Sequence, residues 1–143
     1  MIQNFVLNDF YTKKKYLPLF MDGEKLDFEK VIPESKRKLD MNKKYGCYSN
    51  AINVEIVEDL NELGDESFVT IHFETVGKYP KEWMKYMHES GVPFDAIWWL
   101  DDNSKAGRFV SRLGYINYTR SYKSSYDMFD AMRTHDWTIF EIK

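Results

Sequence analysis

Two short stretches of strict alternation constrain this chain more than any other feature. Ile52, Val54 and Ile56 alternate with Asn53 and Glu55, and Val69, Ile71 and Phe73 alternate with Thr70, His72 and Glu74. Successive side chains of a strand point to opposite faces, so a period of two describes a strand with one buried face and one wet face. The polar run 61–66 holds Gly64-Asp65 and reads as a turn, which makes the pair an antiparallel hairpin. The apolar face of such a hairpin has to be covered.

The sequence that follows supplies the cover. Pro80–Ser90 reads as a helix: Pro80 suits the first turn, Trp83, Met84 and Met87 form one stripe, and Gly91 and Pro93 end it. Phe94–Asp101 is a third β segment, 102–106 a polar turn and Gly107–Leu113 the returning strand. A last helix over Ser125–Thr134 starts from Ser124 or Ser125 as N-cap, and Trp137–Ile142 adds a terminal strand. Ahead of the hairpin, Gln3–Leu7 reads as a short strand. Lys13–Asp40 reads as a loop broken by Pro18, Gly23 and Pro33, and 35–48 has weak helical spacing at Leu39, Met41 and Tyr45. The order β, β, α, β, β, α behind a short strand predicts an α+β domain, a mainly antiparallel sheet with its helices packed on one face. The ferredoxin-like split βαβ is the commonest small fold with that layout. No linker or repeat divides the chain, so residues 1–143 are expected to form one domain.

Aromatic residues make up 17% of the chain, enough for a core built from rings, with Trp83 as a central member. Cys47 is the single cysteine, so no disulfide forms within the chain and a reducing compartment is expected. Met1–Phe10 carries Asp9 within its apolar run and lacks a signal-peptide layout, and no stretch nears the roughly 18 apolar residues of a membrane span. The expectation is a cytoplasmic protein without a membrane partner.

Several runs resemble a known family. Asn4 in an amino-terminal strand, followed by Leu26-Asp27-Phe28-Glu29-Lys30-Val31-Ile32-Pro33-Glu34, is similar to the opening of the YubB-type ferredoxin-like domains of phages, plasmids and other mobile elements. Phe68–Thr75 followed by Tyr79-Pro80-Lys81-Glu82-Trp83 resembles that family's strand and helix entry, and Ala51–Glu58 a neighbouring segment. Where the family carries Trp-Gly-Thr-Lys-Trp, this chain has Gly46-Cys47-Tyr48-Ser49-Asn50. The resemblance implies the ferredoxin-like fold and a mobile-element origin, and it carries no catalytic residue across. Pro80 and Trp83, fixing the helix, and Phe28 and Ile32, anchoring a loop, read as structural.

The chemistry-bearing residues are sparse. His72, His88, His135 and Cys47 are isolated, and the His72-Phe73-Glu74 spacing of a zinc deaminase lacks its Pro-Cys-x-x-Cys partner. No nucleophile elbow or phosphate loop is present, so neither a catalytic nor a metal residue is assigned, and no cofactor is expected. Lys105–Arg112 echoes the RNP1 pattern only at Lys105, Phe109 and Val110. Arg108, Arg112, Arg120 and Lys123 with Tyr115, Tyr118 and Tyr122 could still form an aromatic-basic strip for nucleic acid, an RRM-like alternative.

Charge and exposed rings favour a protein partner. Residues 12–44 hold ten Lys/Arg against six Asp/Glu, whereas 55–102 hold twelve acids against three lysines. Glu58, Asp59, Glu62, Asp65 and Glu66 concentrate that acidity at the hairpin, where it would steer association with a basic partner. Trp98 and Trp99 are adjacent on a strand and point to opposite faces, so one is free to serve as an exposed binding anchor. The expectation is a small non-catalytic factor that binds a host protein or nucleoprotein complex, as an anti-CRISPR-like inhibitor of a host defence nuclease complex does.

Overall fold

The computed structural model describes residues 4–58, 67–111 and 118–134. Eight strands are present among them: β1 (Phe5–Lys13), β2 (Met21–Asp22), β3 (Lys25–Leu26), β4 (Ile52–Glu58), β5 (Phe68–Val76), β6 (Phe94–Leu100), β7 (Ala106–Ser111) and β8 (Tyr118–Tyr122). Three α-helices accompany them: α1 (Met41–Lys44), α2 (Lys81–Glu89) and α3 (Ser125–Thr134). Six strands form one sheet in the order β4-β5-β1-β6-β7-β8, antiparallel at every step, and β2-β3 is a separate small hairpin. The α+β class and the mainly antiparallel sheet are as the sequence pattern requires. Strand β1 lies between β5 and β6, the two strands that α2 connects.

Strand β1 runs well past the expected Gln3–Leu7. Its buried face is Val6, Asn8, Phe10 and Thr12, and two polar residues in that set hide the alternation from a hydrophobicity pattern. Both use their donor groups in hydrogen bonds. Asn8 Nδ2 donates to Val6 O and Thr75 Oγ1, each at 3.2 Å, and Thr12 Oγ1 donates to Pro93 O at 2.7 Å.

The core centres on Trp83 of α2, fully buried and ringed by Phe10, Phe20, Phe28 and Phe73 at centroid distances of 4.7–6.1 Å. Phe28 and Ile32 are buried as well, and Pro80 lies buried just before the first helical residue. Residues 14–51 contribute no long helix. They wind through 3₁₀ turns at 14–19, 28–31 and 34–36, and place Phe20, Leu26, Phe28, Ile32, Tyr45 and Cys47 against the sheet. Asp40 caps α1 by accepting from Lys43 N at 3.0 Å, and Gly46 at φ +90° stops it after one turn, so the weak spacing over 35–48 gives only four helical residues. Tyr45 O, at that turn, accepts from Glu82 N and Trp83 N, both at 3.1 Å, and so caps α2.

The two main helices lie on opposite faces of the sheet, which corrects the expectation that they share one. Phe10 faces α2, whereas Trp99, paired with Leu7 on the other side of the pleat, meets Phe129 of α3 at a 5.4 Å ring distance. Strand β7, buried at all six positions, lies beneath this double cover. The physical reason is the connection. Helix α3 follows β8 at the sheet edge, and Ser125 Oγ donates to Asn103 Oδ1 at 2.7 Å, tying its first turn to the β6–β7 bend. Strand β8 and that edge position are features the sequence pattern does not announce.

Candidate functional site

The expected site residues fall in different places. Glu58 ends β4 exposed, with an ion pair to Lys14 at 3.1 Å, while Asp59, Glu62, Asp65 and Glu66 lie outside the described residues. Trp98 and Trp99 do project to opposite faces, but each is half-buried against another ring, Tyr79 for Trp98 and Phe129 for Trp99. Neither stands as an isolated exposed anchor.

The strip suggested by the RNP1-like run is not assembled around Arg108. That guanidinium is buried and donates twice to Asp95, Nε to Oδ1 at 2.9 Å and Nη2 to Oδ2 at 2.5 Å. A bidentate pair so enclosed holds β6 to β7 and leaves the cation unable to reach a phosphate. Arg112, Tyr115 and the side chain of Tyr118 lie outside the described residues.

The nucleophile and metal candidates are engaged elsewhere. Cys47 is fully buried, its Sγ lies 3.2 Å from Ser49 O, and burial pushes the thiol up to about 12. His72 Nδ1 pairs with Asp9 Oδ1, and His88 Nδ1 lies 2.6 Å from Ser111 Oγ, which ties α2 to β7. No group of three potential metal ligands forms among the described residues, and His135 lies outside them. Among the described residues no helix is long and apolar enough to cross a membrane.

A different site is built on the α2 face of the sheet. Gly107 of β7 sits opposite Trp98, and a Cβ there would lie 2.4 Å from three atoms of the indole, so the ring rests flat on the glycine backbone. On its other face the indole carries Tyr79, parallel within 4° at 4.5 Å between centroids. Backbone, indole and phenol thus form a three-layer stack, fixed from below and anchored at the entry to α2. Burial, and after it the nearby Glu82 carboxylate, raise the Tyr79 phenol above its ordinary value, so it stays neutral.

Two cavities flank this stack and share Tyr79, Trp98 and Lys105. One, of about 620 Å³, is bounded by Gly46 and Gly77 and rimmed by Lys43, Lys78 and Lys81; the other, of about 610 Å³, adds Tyr122 and Lys123. All five lysines are exposed. Lys78 leans on Asn42 Oδ1 at 3.2 Å and over the Tyr48 ring, whereas Lys43, Lys81, Lys105 and Lys123 form no ion pair with another described residue. Among the described residues Glu82 is the single acid lining either cavity, and its carboxylate bonds Lys85 at 3.3 Å.

The opposite face has the other sign. Asp9, Glu55 and Glu74 gather around His72 in a third cavity of about 390 Å³, with Asn53 Nδ2 donating to Glu74 Oε2 at 2.9 Å. The molecule therefore separates a cationic cleft from an acidic sheet face. The chain matches no protein-family model, no curated protein and no solved structure.

Proposed function

We propose that the protein is a small non-catalytic binding factor whose contact surface is the lysine-rimmed cleft, and that its partner is a protein or nucleoprotein complex presenting anionic groups. One observation carries the reading: four lysines without an ion-pair partner among the described residues border a rigid aromatic stack. Exposed cations contribute little to the stability of their own fold, yet they raise the rate at which an anionic partner is met. Fixed rings add contact area at low entropic cost.

The strand order supports the ferredoxin-like reading of the fold. Strands β6-β1-β5-β4 with α2 crossing from β5 to β6 follow that plan, the turns of residues 14–51 take the place of its first helix, and β7 and β8 extend the sheet. The resemblance to YubB-type domains supports a mobile-element origin, and inhibition of a host defence nuclease complex is the role we attach to it. Retention on immobilised heparin tests the contact surface. Despite a net charge of −3, the protein should be retained at low salt, and the Lys81→Glu/Lys105→Glu variant should elute earlier with an unchanged melting temperature. Passage of the wild-type protein without retention would remove the reading.

A further inference from the structure

We infer that the cleft takes single-stranded nucleic acid directly, phosphates on its lysines and unpaired bases against its rings. The inference rests on the reading of the cleft as the binding surface, and it goes further by naming the chemistry of the partner. Three features favour this ligand over an acidic protein segment.

The first is the combination of charge with planar rings. Carboxylates of a peptide would satisfy Lys43, Lys81, Lys105 and Lys123 and leave the stack unused, whereas a nucleotide presents an anion and a flat π-face together. The second is rigidity. Trp98 is held between Gly107 and Tyr79, so the phenol rests on a fixed support and little side-chain freedom is lost when a base stacks on Tyr79. The third is the repeat of the motif across the stack. Cavities of about 620 and 610 Å³ share Tyr79, Trp98 and Lys105, and both fall within the range of about 300–1,000 Å³ common for small ligands. Neighbouring nucleotides of one strand therefore have a place on either side.

The bases must be unpaired, because a paired base offers only its edge to a side chain. Recognition is tolerant of sequence, since stacking on a ring uses the π-face that every base has. The acidic sheet face around Asp9, Glu55 and Glu74 repels phosphate and confines the strand to one side of the molecule.

Fluorescence anisotropy with labelled ten-nucleotide oligothymidine, and with oligouridine of the same length, tests the inference. Binding should weaken by about 20-fold between 50 and 200 mM salt if three phosphates are contacted. Lys81→Glu/Lys105→Glu should weaken it by at least about ten-fold and flatten the salt dependence. Tyr79→Leu should cost about ten-fold, while Tyr79→Phe, which keeps the ring, should bind as the wild type does. A ten-residue polyglutamate peptide should compete poorly. If polyglutamate competes as well as oligothymidine, or if Tyr79→Leu binds as tightly as the wild type, the nucleic-acid inference is wrong and the cleft is a plain anion surface. No oligonucleotide binding together with retention on heparin overturns this inference alone, and the loss of both overturns the function proposed above with it.

Discussion

Gly107→Ala puts the stack at the centre of the cleft to a direct test. Elsewhere in a strand a glycine-to-alanine change gains roughly 0.5–1 kcal/mol, because the unfolded chain loses freedom. Here the new methyl would lie 2.4 Å from Cε2, Cζ2 and Nε1 of Trp98, over 1 Å inside an ordinary carbon contact of about 3.5–4.0 Å. The indole cannot lift away freely, since Tyr79 is stacked on its far face at 4.5 Å. Overpacking of this kind costs about 1–3 kcal/mol, which outweighs the backbone gain and fixes the sign as destabilising. For a domain of this size a net loss near 1 kcal/mol lowers the melting temperature by roughly 2–4 °C. The assay is urea and thermal unfolding of the wild type, Gly107→Ala, Trp98→Leu and the double variant. Trp98→Leu should relieve the contact, so the double variant should be more stable than the two single losses add up to, with a coupling of about 1 kcal/mol or more. Equal or higher stability of Gly107→Ala, or strict additivity in the double variant, would refute the stacked geometry.

Further outcomes follow from the core and its buried groups. Trp83→Ala should cost about 3–5 kcal/mol, read as a large fall in melting temperature, because it empties the point where four phenylalanines meet. Asp95→Asn should cost about 3–5 kcal/mol by removing the carboxylate charge that accepts twice from the buried Arg108 guanidinium, and the joint Asp95→Leu/Arg108→Met change should cost less in the same unfolding assay. Cys47 should resist alkylation in the native protein and react once urea unfolds it. Its proton is retained in the folded state up to about 12 against an ordinary value of 9.0, and the Tyr45 phenol is raised too, by burial and by its bond to Glu29. The unfolded chain therefore releases these protons first, and stability measured by urea titration should fall as pH rises above about 9. Glu58→Ala removes an exposed pair with Lys14 and should lower the melting temperature by no more than about 4 °C, since such pairs contribute about 0–1 kcal/mol.

How much of this was readable depends on the residue. The alternation at 52–57 and 68–74, the stripe Trp83, Met84 and Met87, and the Ser125–Thr134 helix are local patterns, and they reappear as β4, β5, α2 and α3. Strand β1 was half hidden because Asn8 and Thr12 hold buried positions that only a distant partner, Thr75 or Pro93, makes tolerable. The face of the sheet on which a helix packs is not a local property, and α3 crosses to the far side because its first turn is tied to Asn103.

The cleft was scattered in the sequence. Lys43 belongs to the basic first third, Lys105 and Lys123 to the last, and only the fold brings them to Tyr79. Two signals did exist. Lys78, Lys81 and Lys85 are the three cations of an otherwise acidic middle, clustered within eight residues. A glycine inside a strand marks a close approach, which Gly107 makes to Trp98.

A backbone amide NMR titration with ten-nucleotide oligothymidine shows directly which surface the strand occupies. Shift changes should concentrate at residues 43–46, 77–82, 98, 105–107 and 121–123, the two sides of the Tyr79–Trp98 stack. Changes centred instead on Asp9, Glu55, His72, Glu74 and Trp99, across the sheet, would contradict binding in the cleft.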